Sequence, residues 1–149
     1  MSVEVNLNKY QKVNLLSLVD IETAKKNKIY KKGCIIIQIH ATRGQIYYLN
    51  EDKTVESKYA VLIPKNVCGH YLYYILEKEL PHFLKKHQTT LNIQPEIFKY
   101  LELVIHDDIQ TQEYIAEILS HIDNLIGAEQ KLLEEFKDLK DYHVDKMFA

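Results

Sequence analysis

The sequence is poor in cysteine, glycine and proline and contains no tryptophan. Its two cysteines are too few for the disulfide framework of a small secreted protein, so a reducing, cytoplasmic location is expected. Residues 1–12 are polar and lack the apolar segment of a signal peptide. Apolar runs such as residues 34–37 are far shorter than the roughly 20 residues that cross a bilayer, so no membrane partner is expected.

Catalytic motifs are also scarce. There is no phosphate-binding Gly-Lys-Ser/Thr loop, no glycine fingerprint for a dinucleotide or methyl-donor cofactor, and no catalytic serine motif. The thiol candidates are Cys68 with His70 and Cys34 with His40, while the other histidines lack the spacing of zinc ligands. We therefore expect no intrinsic catalysis, metal or cofactor, and a thiol hydrolase using Cys68 and His70 is the enzyme-class alternative.

Positive charge is limited and unevenly distributed. The chain has 19 Lys+Arg against 21 Asp+Glu, a formal charge of −2, which excludes a uniformly basic nucleic-acid binder. Residues 1–108 carry a net +3 and residues 109–149 a net −5. Any contact with nucleic acid must therefore involve local patches of the first part.

The first part alternates short apolar runs with turn signals. The β-branched segment 33–40, followed by a turn at Gly44, is typical of a buried strand, and residues 45–49 fit its partner. After a turn at residues 50–53, the run 59–63 ends at a proline and predicts a third strand. A small antiparallel sheet is the simplest arrangement of these segments.

Helical spacing begins after these strands. Apolar residues recur every three or four positions from His70 to Lys86, which predicts a helix bent or split near Pro81. A short helix is expected to begin at Pro95, before extended structure at residues 101–105.

Heptad periodicity distinguishes the tail, residues 109–149. Proline is absent from residues 96–149 and glycine occurs there once, at Gly127, which favours a long helix. Apolar residues recur in the tail at steps of three and four, the spacing of a coiled-coil seam, which is the row of side chains that faces a partner helix. Glu129 occupies one position of this row, and a second apolar row lies beside it. The two rows are Ile115, Ile118, Ile122, Leu125, Leu132, Phe136 and Leu139, and Leu119, Ile126 and Leu133.

A helix over residues 112–147, with Asp107 or Asp108 as its N-cap, would be roughly 54 Å long. A body of this size cannot cover such a stripe, so the heptads favour a partner helix over packing on the chain's own body. The sequence thus predicts an α+β fold. Residues 1–108 form a small mixed β-sheet domain with short helices, and residues 109–149 form one long coiled-coil helix for spacing and dimerisation.

The residue order of the tail resembles one protein family. It reads Gln112-x-x-Ile115-Ala116-x-x-Leu119-x-x-Ile122-Asp123-x-Leu125-Ile126, then Lys131-Leu132-Leu133-x-x-Phe136-Lys137, and later Lys146-Met147-Phe148. The pattern is similar to the conserved-helix region of the DNA-specificity (S) subunits of type I restriction-modification systems. Residues 35–44, 58–61 and 71–74 are more loosely similar to the target-recognition domain of that family.

The resemblance implies a sequence-specific DNA-recognition subunit without catalytic activity. A typical S subunit carries two recognition domains and two long helices, and this chain has room for one of each, so we expect a half-length subunit. Its expected partners are double-stranded DNA, a second copy in an antiparallel coiled coil and a methyltransferase (modification) subunit, with a restriction subunit as a further candidate. S-adenosylmethionine, and any ATP and Mg²⁺, would be bound by the partner subunits.

Candidate DNA contacts follow from this implication. Lysine and arginine neutralise phosphates, and arginine and glutamine can make paired hydrogen bonds to base edges. Arg43, the only arginine, is the first candidate for a base contact. The ordinary alternatives stay open, since a lysine run can be a solvated loop and cations often complement a helix C-terminus. The full set is Lys25, Lys26, Lys28, Lys31, Lys32, Arg43, Gln45, Tyr47, Lys85 and Lys86.

A second hypothesis is that the chain no longer reads DNA and acts as a decoy or assembly regulator that pairs its helix with intact S subunits. Residues 22–27 replace the glycine–lysine turn that is usual near the start of the family, and residues 105–110 replace a proline-bearing link. Measurement of DNA binding separates the two hypotheses.

Overall fold

Short strands come first along the chain, followed by one helix, a further strand and a long final helix. The structure, a computed structural model, describes residues 5–41 and 44–148. The strands are β1 (Tyr10–Asn14), β2 (Val19–Thr23), β3 (Ile29–Tyr30), β4 (Ile35–Gln38), β5 (Ile46–Tyr48), β6 (Lys53–Thr54), β7 (Tyr59–Pro64) and β8 (Glu102–His106). The helices are α1 (Gly69–His87) and α2 (Ile109–Phe148), with 3-10 turns at Leu15–Ser17 and Pro95–Tyr100. The predicted α+β class is confirmed.

A four-stranded sheet in the order β2-β7-β4-β5 forms the centre of the fold. Ile35 pairs with Leu62 of β7 and with Tyr48 of β5, so β4 has neighbours on both sides. Both faces of β4 are buried, which explains its unbroken β-branched sequence. Ile35 and Ile37 belong to the main core with α1, whereas Ile36 belongs to a smaller core on the second face of the sheet.

Two small ribbons complete the strands. β1 pairs with β8, and β3 pairs with β6. Every ladder of the described residues is antiparallel, where the sequence prediction allowed a mixed sheet. A parallel pair within one sheet needs a crossover connection. Here α1 leads from β7 to a strand of a different ribbon, so it does not supply one.

Helix α1 continues through Pro81, so the predicted split is absent. Proline removes one helical hydrogen bond, and it lies here on the exposed side, where water can satisfy the remaining carbonyl. Burial of Leu80, Phe83 and Leu84 around it holds the last turns against the main core. The short helix predicted to begin at Pro95 is present as a 3-10 helix, and the extended segment that follows it is confirmed.

Helix α2 begins beside Asp108, whose carboxylate accepts hydrogen bonds from the backbone N–H and the hydroxyl of Thr111, at 3.2 and 3.0 Å. This confirms Asp108 as the N-cap and extends the predicted helix to residues 109–148, about 60 Å in length. The helix runs through Gly127 without interruption. No helix of the described residues has the length and apolar content of a membrane span.

Internal contacts divide the chain into two units, Met1–Ala116 and Glu117–Ala149. The division falls inside α2, whereas the sequence placed the domain boundary at residue 108, just before that helix.

Candidate nucleic-acid interface

Three connecting loops meet at one end of the central sheet. The Gln38 N–H donates to the Gln45 carbonyl at 2.9 Å, Gln38 is paired with Tyr59, and the Ala24 N–H donates to the Tyr59 carbonyl at 3.0 Å. The segments 24–28, 39–41, 44–45 and 55–58 therefore lie at the same end of the sheet. We call this the loop end of the sheet; the opposite end, with Ile35 and Pro64, is the far end. Residues 42 and 43, and with them the predicted base contact Arg43, lie outside the described residues.

The C-terminus of α1 reaches the same loop end. The Ile93 N–H donates to the Ile39 carbonyl and the Ala41 N–H donates to the Asn92 side chain, both at 2.8 Å. Gly44 has a φ of +88° and packs so closely on Leu84 that a Cβ there would overlap its side chain. The exposed Lys85 lines a depression with Leu84 and so adjoins the turn that carries Gln45, whereas Lys86 lines a separate depression with Lys12 and Tyr100.

The lysine run does not form one patch. The loop 24–28 carries Lys25, Lys26 and Lys28 at the loop end, while the chain crosses the second face of the sheet before Lys31 and Lys32. The Gly33 N–H donates to the Leu49 carbonyl, so these last two lysines lie towards the far end. The structure therefore places three of the five predicted lysines at the same end of the sheet as Gln45 and Lys85, and separates two.

Carboxylates partly neutralise the run. The Lys28 Nζ lies 2.6 Å from Glu22 Oε1, the Tyr30 hydroxyl donates to the same oxygen at 2.6 Å, and the Lys25 Nζ is 3.8 Å from Oε2. The hydrogen bonds from Lys28 and then Tyr30 lower the pKa of Glu22, and the bond to Glu22 raises the pKa of Lys28. Both charges are therefore retained at neutral pH, and Lys28 has less positive charge to offer a phosphate than its neighbours.

The far-end lysines have a similar partner. The Lys32 backbone N–H donates to Asp52 Oδ1 at 2.7 Å, and the Lys31 Nζ lies 3.4 Å from Oδ2. These contacts, the first being the larger, lower the pKa of the Asp52 carboxyl. Lys31 and Lys32 thus share their surroundings with a fixed negative charge.

Lys58 is a loop-end cation that the sequence reasoning missed. Its Nζ lies 5.4 Å from the Tyr59 ring centroid and 3.6 Å from Glu56. The Lys58 carbonyl accepts from the Ile39 N–H at 2.9 Å, which places the residue next to the β4–β5 connection. Its position in the loop directly before β7 could have identified Lys58 as a candidate, because connecting loops carry binding residues more often than strands do.

Tyr47 faces away from the main core. Its neighbours Ile46 and Tyr48 pack against the main core, so alternation along β5 turns Tyr47 to the second face, where it is 45% exposed. The Tyr47 and Tyr59 rings make an edge-to-face pair with centroids 6.1 Å apart.

Other tyrosines pack against histidines within the fold. Tyr71 is buried, and its hydroxyl accepts from the His106 N–H at 2.9 Å and lies 2.7 Å from His106 Nδ1. The His70 ring stacks on Tyr48 with centroids 4.3 Å apart, and on Tyr74 with centroids 5.1 Å apart.

A buried glutamine holds the first turn of α2 to two other elements. Gln112 is 1% exposed; its Oε1 accepts from the Cys68 N–H at 3.0 Å, and its Nε2 donates to the His106 carbonyl at 2.7 Å. Cys68 is the N-cap residue of α1 and His106 is the last residue of β8. One side chain thus links the starts of both helices to the end of a strand.

Among the described residues, no three His, Cys, Asp or Glu side chains come close enough together to bind a metal ion. Cys34 is buried, and desolvation raises the pKa of its thiol.

The apolar stripe of α2, which consists of the ten predicted residues in two rows, is largely exposed. Ala116, beside its start, is buried, and Ile115 and Leu119 are partly covered. Every residue from 121 to 148 is exposed, including Leu125 at 67% and Phe136 at 59%. Stripes of this size on soluble proteins mark interaction surfaces.

Comparison with known protein families shows which family the chain matches. The sequence profile of the type I restriction modification DNA specificity domain matches residues 4–138. The chain belongs to this family. The resemblance inferred from the tail of this specificity-domain chain is thereby confirmed. No curated protein matches its sequence significantly.

Solved structures share the fold of this specificity domain. The S subunit of a type I restriction-modification system from M. genitalium superposes with a TM-score of 0.69 at 12% identity, over 90% of this chain and 44% of its own. A chain from a structure described as the basis of complex assembly and conformational transition of the type I R-M system has a TM-score of 0.70 at 14% identity. The match covers 89% of this chain and 43% of the other. The HsdS subunit from Thermoanaerobacter tengcongensis has a TM-score of 0.61 at 14% identity, and the match covers 86% of this chain and 41% of that subunit. The chain thus spans less than half the length of each of these proteins.

Proposed function

We propose that the chain is a DNA-recognition half-subunit that binds double-stranded DNA selectively through the loop end. The observation that carries the proposal is the meeting of lysines from three separate segments, the exposed Lys25, Lys26 and Lys85 and the half-buried Lys58, at the end of the sheet where the turn that carries Gln45 lies. Lysines contact phosphates without regard to sequence, and glutamine and arginine side chains can bond to base edges. Family membership supports the choice of DNA over other polyanions.

Salt-titrated binding to a duplex tests the position of the interface. Changing Lys26 and Lys85 together to alanine should lower affinity and reduce the salt slope by about 2, since each lost phosphate contact removes about one released counterion. The matched control changes Lys31 and Lys32, which lie towards the far end, and should alter the slope by less. Equal effects of the two pairs would contradict the loop end as the interface.

The apolar stripe of α2 is proposed to pair with a second copy, antiparallel. A two-helix seam uses only a and d positions, here the row from Ile115 to Leu139. Such a dimer supplies two recognition domains, which suits a target of two half-sites separated by a gap set by the helices. Glu129 interrupts the seam and would limit the choice of register, since a buried charge without a partner is costly.

The second row, Leu119, Ile126 and Leu133, makes the stripe wider than one seam requires. We assign this row to the methyltransferase subunit, which would supply the methyl donor site and the catalysis; a restriction subunit would join through that complex. Pull-down of the purified methyltransferase subunit by this chain, and its loss in an Ile126→Asp variant, tests the assignment. Capture that is unchanged by Ile126→Asp would contradict it.

Sedimentation equilibrium tests the dimer. Leu125→Asp on the seam should shift the chain towards monomer, whereas Asn124→Asp adds the same charge one position away and should not. Equal association of the two variants would contradict the seam. Retained helix pairing without any preference among duplex sequences would instead support the decoy function.

A further inference from the structure

A groove with aromatic walls lies on the second face of the central sheet. Ile36 and Val55 form its apolar floor, Tyr47 and Tyr59 line its sides, and its volume is about 340 Å³. We call it the tyrosine groove. Its size lies at the low end of the range for small-molecule sites, so it is too small for a double helix.

The chemistry of the walls suits a flat ring. The Tyr47 and Tyr59 rings meet at 82°, so the corner between them offers one aromatic face and one aromatic edge to a planar group. Every nucleobase has a π-face that can stack on such a ring, and stacking of this kind does not depend on base identity.

Cations lie beside this aromatic corner. Lys53 lines the groove, and the Lys58 Nζ lies over the Tyr59 ring at 5.4 Å from its centroid. A second depression, of about 560 Å³, adjoins the groove across Thr54–Glu56 and is lined by Lys26 and Ser57. The carboxylate of Glu56 borders both depressions and is 3.6 Å from the Lys58 Nζ, so a phosphate there would compete with an existing ion pair.

We propose that the tyrosine groove binds one unstacked nucleotide of a DNA strand, with its base against Tyr47 and its flanking phosphates near Lys53 and Lys26. The inference rests on the proposed function for its ligand class, and it goes beyond recognition of paired bases in the grooves of a duplex. Tyr59 ends the sheet at the loop end, so the groove opens beside the proposed duplex interface.

Two duplexes of one sequence test the proposal, one fully paired and one with a single unpaired nucleotide at its centre. Fluorescence anisotropy with the full chain should show tighter binding of the second, by about 5- to 100-fold, the range of one base–aromatic stack. Tyr47→Leu removes the ring and should bring the affinity ratio close to one, whereas Tyr47→Phe keeps the ring and the ratio. Tyr10→Leu, at an exposed strand tyrosine of another sheet, is the matched control and should leave the ratio unchanged.

A ratio of one in the unchanged protein overturns the proposal, and so does a ratio that survives Tyr47→Leu. Loss of the ratio in Tyr10→Leu as well would show a general effect on folding and would also overturn it. Failure of the proposed function appears separately, as equal affinity for fully paired duplexes of different sequence. Thermal unfolding of each variant verifies that the fold is retained.

Discussion

Gln112 is the residue whose removal should most clearly damage the link between α2 and the body. Its amide makes two hydrogen bonds, to the Cys68 N–H and the His106 carbonyl, at 3.0 and 2.7 Å. Gln112→Leu keeps most of the volume but leaves both backbone groups without this partner. A hydrogen bond contributes about 1 kcal/mol, and a donor left unsatisfied on burial costs about 1–3 kcal/mol. We therefore expect a loss of about 2–4 kcal/mol in the free energy of unfolding.

Urea unfolding followed by tyrosine fluorescence measures this loss, since the chain has 11 tyrosines and no tryptophan. The protein concentration must be held constant, because self-association stabilises the folded state. Gln110→Leu, at an exposed position of the same helical turn, is the matched control. A difference between the two variants below about 0.5 kcal/mol would refute the role of the Gln112 amide.

Three further predictions concern single side chains. The hydrogen bonds from Lys28 and Tyr30 lower the pKa of Glu22 in the folded protein below its ordinary value of 4.5. The ionised Glu22 therefore stabilises the fold above pH 4.5, and this stabilisation is lost as the pH falls through the lowered pKa. Glu22→Gln should therefore destabilise by about 0.2–1 kcal/mol at pH 7 and by less at pH 3, measured by urea unfolding; a constant difference would contradict the pair. Iodoacetamide at pH 8 should modify Cys34 more slowly than Cys68, because Cys34 is buried and its pKa is raised, and mass spectrometry showing equal rates would contradict this. Arg43→Ala should relax sequence preference at one position of the target by about 1–3 kcal/mol in competition binding, and unchanged preference would remove Arg43 as a base contact.

The sequence was sufficient for the elements whose burial follows from local pattern. β4, β5 and β7 have continuous apolar runs, and α2 has heptads without proline, so each was predicted from its own residues. β1 was missed because its side chains are mostly exposed and show no alternation. The residues of β3 and β6 form strands of only two residues each, which pair over a long separation and have no local signature.

The candidate interface was predicted in its parts and not in its arrangement. Lys85 and Gly44 are far apart in sequence, and tertiary contacts such as the packing of Leu84 on Gly44 bring them together. The separation of Lys31 from Lys25 follows from the crossing of β3 over the sheet, which no charge pattern shows. Gln112 was noted as part of a family pattern, but an amide gives no sequence signal that its partners are backbone groups of two distant segments.

Selection from a random duplex library by the purified chain, with its methyltransferase subunit present, tests the central claim most directly. Two recognition domains related by antiparallel α2 helices should enrich an inverted repeat whose halves are separated by one fixed gap. A selection that enriches no sequence, or that enriches a half-site without a second half at a fixed distance, would contradict the account.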